Sequence, residues 1–231
     1  MAPIEHHFLT ADNATQALAE SIAQCLSLAI HQRGRASLAV SGGRSPVPLF
    51  HRLAQCTLDW AAVRLTLVDE RWVPPTSDAS NERLVREHLL RGPAAAAQFV
   101  PLKTEATTPA EAVAERSAVI ATLLPFDAVV LGLGEDGHTA SLFPHAQHLS
   151  AALDPTRNEL LCAVDPPNAP HPRLSLTLYA LLQSGQLFLQ KQGEAKSAVY
   201  ARARSGADPL EVPFAAVLHH AADRLQVYCL D

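Results

Sequence analysis

The chain has 231 residues, 48% of them apolar and 18% charged, with a formal net charge of −5. That balance permits a substantial core, argues against disorder, and disfavours a nucleic-acid surface. No run approaches the ~18 apolar residues of a membrane span, and the start Met1-Ala2-Pro3-Ile4-Glu5-His6-His7 lacks a secretion signal, so no membrane partner and a cytoplasmic location are expected.

The elements follow in chain order. Leu18, Ile22, Cys25, Leu26, Ala29 and Ile30 recur at helical spacing, with Gly34 as a stop. Ala36–Val40 is a short, continuously apolar run, the pattern of a strand buried on both faces. Pro46 then suits the first turn of a helix through about Leu53. Leu65–Val68 predicts a second strand, Pro74 to Asp78 a loop, and Asn81 to Leu90 a helix. Phe99 to Leu102 reads as a brief edge strand, since proline is poorly tolerated in a sheet centre. Thr108-Pro109-Ala110-Glu111 opens a helix with a capping box. A third strand starts at Asp127. Leu160–Val164 and Leu187–Leu189 follow as strands, separated by the proline-rich loop Asp165 to Pro172 and a helix near Leu176–Gln183. Helices from Gly193 to Arg204 and around Phe214–Ala222 precede a last strand, Leu225 to Leu230. Strands alternating with helices predict an α/β, three-layer sandwich around a mainly parallel, Rossmann-like sheet. No linker divides the chain, so one domain over 1–231 is expected, with a small subregion around 140–175.

Three of the apolar runs end in polar, glycine-containing clusters, and in parallel sheets ligands bind beyond the carboxyl ends of the strands. In Ser41-Gly42-Gly43-Arg44-Ser45-Pro46, glycines let the backbone approach a ligand, and the next helix would aim its free N–H groups at a phosphate. No Gly-Lys-Ser/Thr or G-x-G-x-x-G spacing is present, so a plain strand-to-helix turn fits as well as a binding loop. In Asp69-Glu70-Arg71-Trp72, Arg71 is either a salt-bridged strand end or a fork for an anion, with Asp69 and Glu70 orienting it or flooring a cleft. The third cluster, Gly132-Leu133-Gly134-Glu135-Asp136-Gly137-His138, is the strongest. A histidine suits general-base work if a neighbour fixes its ring, and Asp136 is a candidate for that neighbour. An ordinary loop histidine is the alternative, since the chain has eleven. Metal binding by His138, His145 and His148 is disfavoured, because no H-x-x-x-H or H-E-x-x-H spacing occurs. The scattered Cys25, Cys56, Cys162 and Cys229 form no C-x-x-C pair and read as buried free thiols. Arg173, after the proline-rich loop, and Lys196, at a helix start, would alone pass as surface charges.

Taken together these clusters resemble the 6-phosphogluconolactonase family. The resemblance rests on Ser41 to Pro46, on Asp69-Glu70-Arg71-Trp72-Val73-Pro74 with Ser80-Asn81, and on Gly132 to Pro144. Pro172-Arg173-Leu174-Ser175-Leu176-Thr177 and Gly193-Glu194-Ala195-Lys196 complete it, in order, from about residue 10 to the C-terminus. It implies a fold related to sugar-phosphate isomerases and hydrolysis of 6-phospho-D-glucono-1,5-lactone, with neither cofactor nor metal. The family's general base maps onto His138, supported by Asp136. Its anion-binding positions map onto Arg71 and Lys196, with Gly42, Gly43, Arg44 and Arg173 close by. The implied partner is a small phosphosugar lactone, and the assembly a monomer or weak homodimer.

Two other readings stand beside this one. Glucosamine-6-phosphate deaminases share the glycine loop, the Asp-Glu pair and a similar core around the histidine. They carry Asn-Glu-Pro after that histidine, where this chain has Leu142-Phe143-Pro144, and an apolar Phe143 cannot move a proton. A non-catalytic phosphosugar-binding module is the third. Within the lactonase pattern, Ser45 replaces the commoner threonine and Arg44 adds a cation where a small polar residue is usual.

Overall fold

Every residue of Ala36–Val40 is buried, so both faces of the sheet at that strand are covered. The computed structural model, which describes residues 2–230, shows what covers them. Strands form at β1 Ile4–Phe8, β2 Ala36–Val40, β3 Val63–Leu67, β4 Asp69–Arg71, β5 Gln98–Phe99, β6 Phe126–Leu131, β7 Leu161–Val164, β8 Arg173–Leu176, β9 Ser184–Gln192 and β10 Leu225–Leu230. Helices form at α1 Ala11–Arg33, α2 Val47–Leu53, α3 Asn81–His88, α4 Pro109–Ala121, α5 Leu149–Ala152, α6 Leu178–Leu182, α7 Glu194–Arg204 and α8 Phe214–Ala221. A parallel sheet runs β1-β10-β9-β6-β2-β3-β5, and an antiparallel sheet runs β4-β8-β7. The expected α/β sandwich with a mainly parallel sheet is present.

Burial explains the central strands. Leu38, Ala39, Val40, Ala128, Val129, Leu187, Phe188 and Leu189 are all fully enclosed, and the register sets Leu38 beside Ala128 and Val130 beside Phe188. Helix α1 crosses β2, β6, β9 and β10, burying Leu18, Ala19, Ile22, Leu26 and Ala29 on one stripe. Thr10 caps its start, its hydroxyl accepting from the Asn13 N–H at 3.2 Å. Gly34 ends it at φ 71°, a left-handed conformation that suits glycine, and donates to the Ile30 carbonyl at 2.7 Å. In α4 Thr108 caps as expected, but Glu111 reaches the N–H of Thr107, not that of Thr108.

Several elements depart from the sequence reading. β1 was not expected: Ile4-Glu5-His6-His7-Phe8 has no apolar run, because an edge strand is covered only in part. The strand near 160–164 exists, but it belongs to the antiparallel sheet. The helix expected near Leu176–Gln183 shrinks to α6, because Arg173–Leu176 pairs with both β4 and β7 as a strand. Thr177 then starts α6, its hydroxyl accepting from the Ala180 N–H. Among the described residues, no helix is long and apolar enough to cross a membrane.

Candidate active site

Parallel strands that end at one edge bring their following loops together. Beyond β2, β3 and β6, those loops line a cavity of about 260 Å³ with Arg173 of β8, Gln190 of β9 and Lys196 of α7. His138, Arg71, Arg173, Lys196, Gly42 and Gly43 all line it, though they come from separate stretches of chain. Asp136 and Arg44 do not. Asp136 sits behind the imidazole, on a neighbouring cleft shared with His145, Arg202 and Glu211. The Arg44 side chain is exposed, outside the cavity, and finds no partner among the described residues.

His138 is held on two sides. Its Nδ1 lies 2.5 Å from Asp136 Oδ1, and its backbone N–H donates to the same oxygen at 3.1 Å. The Phe143 ring packs against the imidazole with centroids 4.4 Å apart. Burial works against a charge on Asp136, but the hydrogen bond and positive charge offered by His138 outweigh it and hold that carboxyl below its ordinary range. An ionised carboxylate only accepts, so Nδ1 carries the proton and the lone pair falls on Nε2. The loop is tight enough to need glycine. A Cβ on Gly134 would stand 2.1 Å from His138 Nδ1, and Gly137 adopts φ 92°.

The acid pair after β3 divides its labour in an unexpected way. Neither carboxylate holds the Arg71 guanidinium. Glu70 is buried and accepts from the backbone N–H groups of Arg71, Asn81 and Glu82 and from the Ser80 hydroxyl, so it closes the start of α3. Burial pushes its carboxyl up, those three N–H donors pull it down, and nearby Asp69 adds to the rise. Asp69 accepts from the Ser141 hydroxyl at 2.5 Å and lies 3.8 Å from Arg173, with both members of that ion pair 7% exposed. Arg173 also donates to the carbonyls of His171 and Pro170 and stands over the Phe143 ring, 5.6 Å from its centroid. Burial, then the charge of Arg71, lowers the proton affinity of Arg173, while Asp69 and Glu70 oppose that drop. The two arginines are register partners across β4 and β8.

Arg71 keeps capacity in reserve. Its Nη1 donates to the Ala79 carbonyl at 2.8 Å, but its buried Nε has no partner among the described residues. Lys196 donates to the Ser45 hydroxyl at 3.2 Å, tying the start of α7 to the glycine loop. In that loop the amides of Gly42, Gly43, Arg44 and Ser45 find no acceptor among the described residues. Asn81 packs its amide so close to Gly42 that a Cβ there would meet Asn81 Oδ1 at 1.9 Å. Gln190 lines the cavity as well, held by Thr15 at 2.9 Å, and nothing in its sequence surroundings marks it out. Asn81 did carry a signal, as the polar residue opening a predicted helix. His145 pairs with Glu211 at 3.5 Å, and His148 is exposed, so the three histidines near 140 do not share a site.

An imidazole beside a carboxylate, facing cationic side chains and amides without an acceptor among the described residues, is the arrangement expected of an enzyme that takes an anionic small molecule. Residues 9–227 match the family described as glucosamine-6-phosphate isomerases/6-phosphogluconolactonase, and the chain belongs to it. It is 45% identical over 224 residues to the 6-phosphogluconolactonase of Rhizobium meliloti (strain 1021), covering 96% of this chain and 97% of that one. It is 41% identical to the enzyme of that name from Neisseria meningitidis, with the same two coverages. A crystal structure of a 6-phosphogluconolactonase from Shewanella baltica superimposes with a TM-score of 0.92 at 42% identity, covering 97% of this chain and 95% of that one. A monomeric glucosamine-6-phosphate deaminase shares the fold at a TM-score of 0.78 and 15% identity.

Proposed function

We propose that this protein is a hydrolase that opens 6-phospho-D-glucono-1,5-lactone to 6-phospho-D-gluconate, the second step of the oxidative pentose phosphate pathway. The carrying observation is the imidazole of His138, locked by Asp136 at 2.5 Å and placed in the cavity where Arg71, Arg173 and Lys196 gather. The whole chain, 1–231, is read as one lactonase domain, a reading supported by a core that runs through both sheets.

In this mechanism the substrate's phosphate docks against Arg71, Lys196 and the free amides of Gly42 and Gly43. The unpaired Nε of Arg71 supports that assignment, since a buried N–H without an acceptor is costly until a ligand arrives. Anchoring the distant anion holds C1 beside His138 and removes much of the entropic barrier. His138 Nε2 takes a proton from water as its oxygen bonds to C1, and the bond from C1 to the ring oxygen then breaks. The imidazolium returns the proton to that leaving oxygen, while Asp136 stabilises the charged ring. The developing oxyanion calls for hydrogen-bond donors beside C1. Protein groups alone complete the scheme.

The deaminase reading needs a proton-moving group after the histidine. There the buried Phe143 ring packs on the imidazole instead. Acid release from freshly made lactone, corrected for spontaneous opening, tests the proposal directly. No rate above background would end it, and ammonia release from glucosamine 6-phosphate would move the assignment to the deaminases.

A further inference from the structure

At one edge of the parallel sheet the register of β1 against β10 sets His7 opposite Cys229. Glu5, two residues before His7, points to the same face, because side chains alternate along a strand. The ligand atoms of Glu5, His7 and Cys229 all lie within 4.8 Å of one another. The carboxylate is already aimed. Its Oε1 accepts from the Tyr200 hydroxyl at 2.8 Å and from Arg204 at 2.7 Å, while Oε2 lies 3.7 Å from His7 Nε2. Tyr200 and Arg204 belong to α7, which lies over this face. Lys191, opposite Cys229 on β9, donates to Ser197 of the same helix. Outer donors that hold a carboxylate in one orientation are what a metal site needs behind its ligands. The thiol is buried, whereas the His7 side chain is 55% exposed and leaves an approach from solvent.

We propose that Glu5, His7 and Cys229 bind a zinc ion that ties the edge strand β1 to β10. One oxygen, one nitrogen and one sulfur ligand suit zinc, whereas magnesium and calcium take oxygen ligands. On binding, the Cys229 S–H bond breaks and an S–Zn bond forms. The proton leaves to solvent, and water fills the fourth position. Zinc bonds of about 2.0–2.3 Å require the three ligand atoms to draw closer together. Gln190 lies next to Lys191 in β9 and so faces the other side of the sheet, toward the Thr15 hydroxyl and the cavity. The metal site therefore stands apart from the proposed catalytic cavity, and neither reading depends on the other.

Full-length protein, stripped with a chelator and kept reduced, would be titrated with cobalt(II) and then zinc(II). A thiolate-to-cobalt charge-transfer band should grow to a single equivalent, zinc should displace it, and zinc should raise Tm. His7→Ala should weaken both cobalt, read from the band, and zinc by about tenfold or more, with lactone turnover unchanged. Cys229→Ser should abolish the band. Should that buried substitution unfold the protein, Glu5→Gln replaces it, with the same loss of zinc affinity expected. A wild-type protein without the band, or a band and zinc affinity that survive His7→Ala, overturns the proposal.

Discussion

In the proposed mechanism a single hydrogen bond decides how His138 acts. Because Asp136 is held below the ordinary carboxylate range, it stays ionised at neutral pH and keeps the proton on Nδ1. His138→Ala should lower kcat by about 10²–10⁴-fold, the usual scale for losing a general base, while KM changes little. Steady-state kinetics checks this, and matched losses in kcat and affinity would make His138 a binding contact instead. Arg71→Ala and Lys196→Ala should mainly raise KM, and an unchanged KM in both would remove the phosphate assignment. The pH dependence of stability has a definite sign. A carboxyl depressed in the folded state binds fewer protons there than in the unfolded chain. Asp136 thus adds stability above the ordinary carboxylate pKa of about 3.9, and that stability is lost as pH falls through the lower folded value. Urea unfolding of Asp136→Asn across acid pH should show a flatter profile than the wild type. Parallel profiles would deny the coupling to His138.

At the scale of the element, the loops and caps were legible to different degrees. Thr108, Gly34 and the buried runs announce themselves through local chemistry, because a cap or a covered strand needs only its neighbours. Glu70 was misread, since its partners at Asn81 and Glu82 lie eleven and twelve residues away and meet it only when α3 docks on β4. Removing that buried acceptor strands N–H donors at a helix start, so Glu70→Ala should cost about 2 kcal/mol or more in urea unfolding. A loss below about 0.5 kcal/mol, the range of an ordinary surface substitution, would contradict the cap. Gly42 is a similar case. With Asn81 Oδ1 at 1.9 Å from a built Cβ, Gly42→Ala must move the amide or the loop, and so should impair turnover more than global stability.

Across the whole molecule, partial burial quiets two of the scattered thiols, Cys25 and Cys162. Desolvation pushes Cys25 up to about 11 and Cys162 up to about 12, so a thiol-specific reagent at pH 8 should label neither until the protein is unfolded. Mass mapping of labelled peptides checks this, and prompt native labelling of Cys162 would show its strand to be open. The same long-range assembly separates what the linear chain decided from what it did not. Apolar runs ending in glycine clusters were enough to indicate an α/β architecture with a mainly parallel sheet, because strand burial is a local property. They offered His138 and Arg71 only as candidates beside plain structural readings, and the family resemblance, not the spacing, gave them their proposed roles. The pairing of Asp69 with Arg173, the antiparallel sheet that presents both arginines, the entry of Gln190 and the meeting of Glu5, His7 and Cys229 were decided only by tertiary structure. Each depends on strand register between segments distant in sequence, which no local pattern encodes.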